Sequence, residues 1–493
     1  MGLDLRELTC EYRTEWLGSD VRAPRFGWKL DSDRRGTVQR AYRLQVAEAK
    51  ADFAEPLWDS GEVESPDSIH VPYGGPELRS RTRYYYRVKT WDGFGRESAW
   101  SEAGWWETGL LSPDGWRARW TTPDARELAP DEKAIFQLRK GFEAKAGIAS
   151  ARLYATAAGV YELELNGSRV GEDLLAPGWT SYRHRLQYQT YDVTSYLRNG
   201  ENAIGARLGD GWYKGEITWL GTTNVYGDRR ALLLQLCIRY EDGSEQWVLS
   251  DSSWRCSTGP ILESSLYDGE TYDAGREQDG WSEPGFREDG WFGTEELALP
   301  YDHLVAQENW PTRVTEILKP QRVIRTPSGA LVLYLGQNLV GRMRMTLDVP
   351  AGTTIRLRHA EVLDRDGNIY FGNLRKAKQT VEYVAKGGGF ETYAPIFTFQ
   401  GFRYVLVEGY PYADDEERLL GSFAAEVIHS DMTPTGSFEC SDPRVNRLHS
   451  NIVWGQRGNF LDVPTDCPQR DERLGWTGDA QVFARTAAFN YHV

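Results

Sequence analysis

For most of its length this chain is punctuated in the manner of a β protein. Up to about residue 430, short runs of apolar or alternating residues are cut off by Gly, Pro, Asn and Asp, as strands closed by turns are. Pro24–Leu30 is one run; in Ala41–Ala47, Tyr42, Leu44 and Val46 lie opposite Arg43 and Gln45, because successive strand side chains point to opposite faces. Tyr84, Tyr86 and Val88 alternate in the same way with Tyr85, Arg87 and Lys89. Tyr161–Leu165 runs into Asn166-Gly167, a two-residue hairpin signal. Leu232–Ile238 is a continuous apolar run, which reads as a strand covered on both faces. The Gly387-Gly388-Gly389 triplet has no helix signal after it, so it is a hairpin loop and not a phosphate cradle. Asp364–Asn368 reads as a turn; as a calcium loop it fails, because Arg375 stands where the bidentate Glu belongs.

After Pro434 the period changes. Asp442-Pro443-Arg444 opens a helix, with Asp as cap and Pro at the first position. Val445, Leu448, Ile452 and Val453 recur at helical spacing. A loop containing Pro464 and Pro468 intervenes, and a second helix near Thr477–Asp479 carries Val482, Phe483 and Phe489. Two such helices cannot bury their apolar stripes by themselves. They either lie on the β modules or join further helices.

The 493 residues are enough for about three domains. The balance of 57 basic against 72 acidic residues leaves a net charge of −15. That argues against a nucleic-acid partner and against an anionic membrane surface. No apolar stretch is long enough for a membrane span. The Met1–Arg6 start has no apolar leader, and Arg6 does not fit the myristoylation pattern set up by Gly2; the cytoplasm is the expected compartment. Cys10, Cys237, Cys256, Cys440 and Cys467 are odd in number and widely spaced, which suits neither a disulfide framework nor a thiolate metal site. Nineteen Trp and 26 Tyr are the unusual feature. Their flat faces with a polar handle suit sugar rings, and they equally suit sandwich cores.

Ionisable and aromatic groups are densest between the two helices. Carboxylates stand at Asp462, Asp466, Asp471, Glu472 and Asp479, with Arg470, Arg473 and Trp476 among them. Such a loop can hold a sugar by stacking and bidentate hydrogen bonds. A carboxyl against Trp is expected to be pushed toward the acid-catalyst range. The plainer reading is an interhelical loop held by an Arg–carboxylate network.

Asp466-Cys467-Pro468-Gln469-Arg470-Asp471-Glu472-Arg473-Leu474-Gly475-Trp476-Thr477-Gly478-Asp479 closely resembles the signature loop of bacterial α-L-rhamnosidases of the (α/α)6-barrel type. Leu165–Gly171 with Leu175–Thr180 resembles that family's N-terminal sandwich. Gly336-Gln337-Asn338, His359–Leu363, Asn373-Leu374-Arg375 and Phe397–Tyr404 resemble its next β domain, with Gln400 where His is expected. The strands before Ser98 resemble the late strands of a fibronectin type III sandwich. The likeness covers essentially the whole chain, in the family's order. It implies a mostly β fold of tandem sandwiches followed by the first helices of an (α/α)6 barrel. The expected modules are a fibronectin type III-like sandwich at 1–112, a carbohydrate-binding-like jelly roll at 113–318, a third β-sandwich at 319–430 and an incomplete helical start at 431–493.

The resemblance further implies an inverting glycosidase that releases terminal L-rhamnose from rhamnosides or oligosaccharides. Glu472 would be the general acid, and Asp466, Arg470, Trp476 and Asp479 would hold the sugar. Asp471 is a rival acid, although adjacent residues usually face different ways. Inversion also needs an ionised base about 6.5–9.5 Å from the acid. In this family the base comes from later in the barrel, so the chain resembles a truncated form, inactive alone, that self-associates or binds a chain completing the barrel. Were it active alone, Asp462 and Glu361 would be the first bases to test. No metal or cofactor is expected, apart from a calcium ion of the kind used by related rhamnose-binding sandwiches, for which no ligands can be named. A second reading is a non-catalytic carbohydrate-binding protein, with Trp179 and Trp212, and with them Tyr182, Tyr213 and Trp219, presented to a sugar.

Overall fold

In the computed structural model, which describes residues 3–128 and 132–493, strand Arg83–Asp92 buries every second residue without interruption. Tyr84, Tyr86 and Val88 face inward, as the alternation predicts. The Met1-Gly2 start discussed above lies outside the described residues. The strand belongs to a compact unit made of Met1–Arg117 with Tyr188–Tyr191 and Pro300–Glu308. One sheet of this unit runs Trp16–Ser19, Gly104–Thr108, Arg83–Asp92, Gln39–Glu48, Trp58–Asp59. A smaller one runs Asp4–Cys10, Arg25–Asp31, Val71–Pro72. Their core is aromatic: Trp106 stacks on Tyr84 at 5.1 Å and meets Phe26 edge-on at 5.4 Å. At Asp92 the chain turns because the carboxylate accepts the amides of Phe94 and Arg96, both at 2.9 Å. On the face opposite Tyr42, Leu44 and Val46, Gln45 is buried too. It donates to Asp59 at 2.7 Å and accepts from Arg87 at 2.9 Å, a polar network that covers the outer face of its strand.

The second unit comprises Ala118–Gln187, Asp192–Leu299 and Asn309–Val493. Its first sheet follows the path Ser168–Arg169, Val160–Leu165, Gly200–Gly209, Phe136–Ala144, Arg255–Thr258, Phe292–Glu296, Thr121–Pro123, Ala231–Tyr240, Ile148–Ala158. The Asn166-Gly167 turn closes the hairpin, pairing Leu165 with Ser168; both turn residues have positive φ, as a tight hairpin turn of this kind requires. In Ala231–Tyr240 every residue except Arg239 is buried, so the apolar run is covered on both faces.

The second sheet runs Ile261–Ser265, Gly269–Asp273, Thr380–Val384, Thr354–Ala360, Gln400–Glu408, Leu331–Leu347, Phe423–Ser430, Thr312–Leu318. Gly269–Asp273 joins it parallel to Thr380–Val384, in register from Gly269↔Thr380 to Asp273↔Val384. Three strands from residues 113–318, Ile261–Ser265, Gly269–Asp273 and Thr312–Leu318, therefore lie in the same sheet as strands of the next module. Long-range contacts anchor Gly269–Asp273 there: Glu270, buried, accepts the Tyr393 hydroxyl at 2.7 Å and the amides of Ile396 and Phe397.

Between residues 150 and 400 the single α-helical segment among the described residues is the four-residue Gly211–Lys214. Longer helices come where the period changes. Pro443–Asn459 starts at Asp442, whose side chain accepts the Arg444 amide at 2.9 Å. Thr477–Asn490 meets it through Gln456, which donates to Ala487 O at 3.2 Å and accepts from Asn490 at 2.9 Å. Gly458 and Arg457 seat the first helix on the second sheet, Arg457 pairing with Glu316 at 3.0 Å. The other apolar faces stay open: Val445 and Leu448 are exposed, and Val482 and Phe489 are 81% and 68% exposed. Among the described residues no helix is long and apolar enough to cross a membrane.

The doubly covered strand carries the core of the second unit. Leu234→Ala, at a fully buried position paired across from Ala155, should lower unfolding free energy by about 2–5 kcal/mol. Urea denaturation reads this as a lower midpoint with an unchanged far-ultraviolet circular dichroism spectrum.

Candidate active site

Between the helices the chain forms a short hairpin, Phe460–Leu461 against Val463–Pro464, and then the charged loop. Asp466 fixes the loop on itself. Its amide donates to Leu474 O at 3.0 Å, and its Oδ1 accepts the Leu474 amide at 3.0 Å. Its Oδ2 accepts from Arg470 Nη2 at 3.1 Å. The same guanidinium donates through Nε to Glu472 Oε2 at 2.9 Å. Asp466, Arg470 and Glu472 are thus one carboxylate–guanidinium–carboxylate bridge.

Glu472 is buried, and its Oε2 also accepts from Arg375 Nη1 at 3.0 Å. Burial by itself pushes this carboxyl up. The Arg470 hydrogen bond and charge, the Arg375 charge and the Trp476 indole outweigh it and hold the carboxyl below its ordinary value. That reverses the expectation that a carboxyl against Trp is pushed upward. Two guanidiniums favour the ionised form more than burial disfavours it.

Trp476 is 42% exposed and stacks on Trp219, itself 38% exposed, with ring centroids 6.2 Å apart and planes at 16°. Asp479 stands exposed in the first turn of the second helix and makes no hydrogen bond or ion pair with this group among the described residues. Asp471 is buried with Oδ1 unpaired among the described residues. Its charge is felt by Glu216, whose carboxyl burial raises and Asp268 and Asp471 raise further. The two adjacent acids therefore have different surroundings: Glu472 accepts from two guanidiniums, whereas Asp471 feels the Glu216 carboxylate and the Arg473 guanidinium only through their charge.

Arg473 holds the loop to the sheets. Its guanidinium is buried and donates to Leu266 O at 2.6 Å, Phe399 O at 2.7 Å and Arg470 O at 3.1 Å. It lies over the rings of Phe399 and Tyr267, at 4.9 and 5.2 Å. The Tyr267 hydroxyl donates to Glu472 O at 2.7 Å. Gly401 allows the close approach: a Cβ there would stand 2.9 Å from Pro468 Cγ and 3.0 Å from Gln469 Cβ. Sequence reading missed Arg473, Tyr267 and Arg375 as site-building residues. A charged residue that serves backbone carbonyls has no spacing signal.

Asp466, Cys467 and Glu472 bring potential ligand atoms within 4.8 Å of one another. The donor set does not fit a metal. Arg470 already supplies the cation between the two carboxylates, and burial pushes the Cys467 thiol up to about 11, so it stays protonated.

The Trp179 and Trp212 sugar site is corrected. The two rings stack on each other at 5.8 Å with planes at 10°, and Trp212, Tyr182 and Tyr213 are buried. They pack the Leu175–Tyr182 loop against the Gly211–Lys214 turn, so that Trp212 presents no exposed face. Beneath them lies Asp462, with its carboxyl against Gly178 and the Trp179 amide. Gly178 has φ +87, and a Cβ on it would stand 2.6 Å from Asp462 Oδ1, so glycine is required. Asp462 Oδ2 is shut from solvent without a partner among the described residues, and burial raises this carboxyl to about 7. Glu361 is held by Asn338 at 3.0 Å and Asn373 at 3.1 Å.

Four family models match the chain in succession: a Rha78A-like N-terminal immunoglobulin domain over 5–112, an alpha-L-rhamnosidase N-terminal domain over 146–316, a bacterial alpha-L-rhamnosidase concanavalin-like domain over 324–429 and a bacterial alpha-L-rhamnosidase 6 hairpin glycosidase domain over 433–493. An alpha-L-rhamnosidase of Streptomyces avermitilis is 37% identical across 97% of this chain and 62% of its own length. One of Formosa agariphila is 37% identical across 97% of this chain and 52% of its own. The chain thus spans between half and two thirds of these relatives. The crystal structure of native rhamnosidase from Aspergillus terreus superposes with TM-score 0.93 at 43% identity, over 99% of this chain and 56% of that one. The S. avermitilis enzyme complexed with L-rhamnose gives 0.95 at 36% identity, over 99% and 63%.

The buried Asp462 generates a pH test. Its folded-state value, about 7, lies above the ordinary 3.8, so its stabilising contribution is full below 3.8 and is lost as pH rises through about 7. In Asp462→Asn the side chain stays neutral throughout. Melting temperatures of wild type and variant should lie closest near pH 4, with the wild type falling progressively behind up to pH 8. Parallel curves would show that the carboxyl does not titrate in this range.

Proposed function

The chain belongs, domain by domain, to the α-L-rhamnosidase family, and from that premise we propose that it supplies the acid side of an inverting glycosidase that releases terminal L-rhamnose. The observation that carries the reading is the Asp466–Arg470–Glu472 bridge with Trp476 beside it, within the stretch matched by the six-hairpin glycosidase model. Glu472 is the proton donor to the leaving oxygen. Asp466 and Arg470 orient it and, with Trp476 and Asp479, hold the sugar. Trp476 offers an exposed face to the apolar side of a pyranose ring, and Asp479, exposed and without a partner among the described residues, keeps both oxygens for hydroxyls. The rhamnose-bound relative supports the choice of sugar.

Glu472 rather than Asp471 is the acid because its surroundings are those of a group aimed into a polar site. Asp471 is buried, with the Glu216 carboxylate and the already committed Arg473 guanidinium within electrostatic reach. The family's pattern, in which the general base comes from later in the barrel, would place that base in the part of the relatives beyond this chain's match, and turnover would then require that part. Protonation of the leaving group without a base leaves the attacking water unactivated. The N-terminal module is an immunoglobulin-type sandwich; its finer assignment as fibronectin type III-like rests on the strand pattern of residues 78–101.

In the completed enzyme Glu472→Gln should lower turnover of poor-leaving-group rhamnosides about 10²–10⁴-fold. Aryl rhamnosides with very good leaving groups should lose far less, since they need little protonation. A severe Asp471→Asn beside a mild Glu472→Gln would move the acid by one residue.

The chain alone should show negligible hydrolysis of an aryl rhamnoside, and it should gain activity when the relatives' remaining helices are supplied as a second polypeptide. Its open apolar faces predict self-association. In sedimentation velocity, Val482→Glu with Phe489→Glu should shift the chain toward monomer.

A further inference from the structure

Gly336-Gln337-Asn338, Glu361 and Asn373-Leu374-Arg375 lie in the concanavalin-like domain, outside the helical stretch, and the chemistry proposed above gives them no part. The structure joins them to the acid. Strand Leu331–Leu347 pairs Tyr334 with Tyr404 and next Leu339 with Phe402, so its residues 335–338 bulge out of register. Gly336 takes φ +77 at this bulge. Residues displaced in this way leave the ladder and can aim their side chains elsewhere. Asn338 Nδ2 donates to Glu361 Oε1 at 3.0 Å, and Asn373 Nδ2 donates to Glu361 Oε2 at 3.1 Å. Glu361 is thereby clamped through both oxygens. Asn373 sits in the Gly372–Leu374 turn, and the next residue, Arg375, has φ +58 and ψ −112, in the region that favours glycine. A non-glycine residue holds such a conformation only where its surroundings impose it. The conformation delivers the guanidinium to Glu472 Oε2 at 3.0 Å, the one ion pair Arg375 makes among the described residues.

We propose that Arg375 is a positioning residue for the acid, and that Asn338, Glu361 and Asn373 form the tether that aims it. The proposal rests on the reading of Glu472 as proton donor. Arg375 and Arg470 take the same oxygen, Oε2, from opposite parts of the fold. Two donors on one oxygen fix the carboxyl plane, and Oε1, which accepts neither guanidinium, is left to carry the transferable proton. The other groups facing the carboxyl are Trp476, and Asp466 and Cys467, which crowd the same space. None of these is supplied by a β domain. Through Arg375, a domain outside the catalytic barrel controls the orientation and protonation of the acid.

The test is a titration of the Glu472 carboxyl carbon in the 493-residue chain, by carbon-13 NMR with labelled glutamate, the signal being assigned by its loss in Glu472→Gln. Removing the charge in Arg375→Gln should favour protonation of Glu472 by about tenfold, the scale on which an adjacent opposite charge acts. Arg375→Lys should restore most of that change. Glu361→Ala, which keeps the guanidinium and cuts its tether, should move the midpoint in the same direction by a smaller factor. Should Arg375→Gln not fold, as judged by circular dichroism, Asn373→Ala gives the same reading with no change of charge. An unmoved midpoint in the folded Arg375→Gln or Asn373→Ala chain overturns the proposal. A shift in Arg375→Gln with none in Glu361→Ala overturns the tether. No turnover is needed, so the outcome stands apart from that of the aryl-rhamnoside assay.

Discussion

A guanidinium buried at Arg473 is what the rest of the charged loop depends on. Taking a cation out of water is costly unless its donors are met. Here they are met by the carbonyls of Leu266 and Phe399, which belong to segments flanking strands of the same ten-stranded sheet, and by Arg470 O from the loop itself. Aromatic rings of Tyr267 and Phe399 lie against the charge and add cation–π attraction. Burial lowers this group only to about 10, so it is still charged at neutral pH. With Arg473 fixed, its neighbours are placed: the Glu472 carbonyl is taken by Tyr267, and its carboxylate is turned to the opposite side.

Charge then sorts the five carboxylates of the segment into different roles. Asp466 and Glu472 share Arg470, and its hydrogen bond and charge help hold the Glu472 carboxyl below its ordinary value. Asp471 meets the carboxylate of Glu216, and Asp462 is enclosed against the Trp179 amide, where burial raises it. Asp479 is left without a partner among the described residues. The identity of each residue is the same kind of acid. What differs is which cation or dipole lies within reach, and whether water does.

The sandwich strands were legible because their signal is local. Alternation at Arg83–Asp92 and the turn at Asn166-Gly167 act over a few residues, and the structure has both. So was the helix start at Asp442-Pro443, where cap and proline sit side by side. The aromatic surplus was not decisive. Trp179 and Trp212 read equally as sugar platforms or core, and only their mutual stacking assigns them to packing. The exchange of Gly269–Asp273 into the following sheet was invisible for a related reason: strand pairing across more than a hundred residues leaves no mark in either strand.

The sequence by itself determined the β-rich architecture, the switch to helices near Asp442 and the loop in which the ionisable groups concentrate, because periodicity, caps and turn residues are properties of neighbouring positions. Its signature string also identified the family to which the loop belongs. Only the tertiary structure decided which carboxylate is ionised, which is enclosed and which partner each one has. Those outcomes depend on Arg375, Arg473 and Tyr267, residues brought to the loop from 97 and 205 positions away or buried beside it. Electrostatic energy depends on distance through space and on exclusion of water, and neither is written in the spacing of residues along a chain.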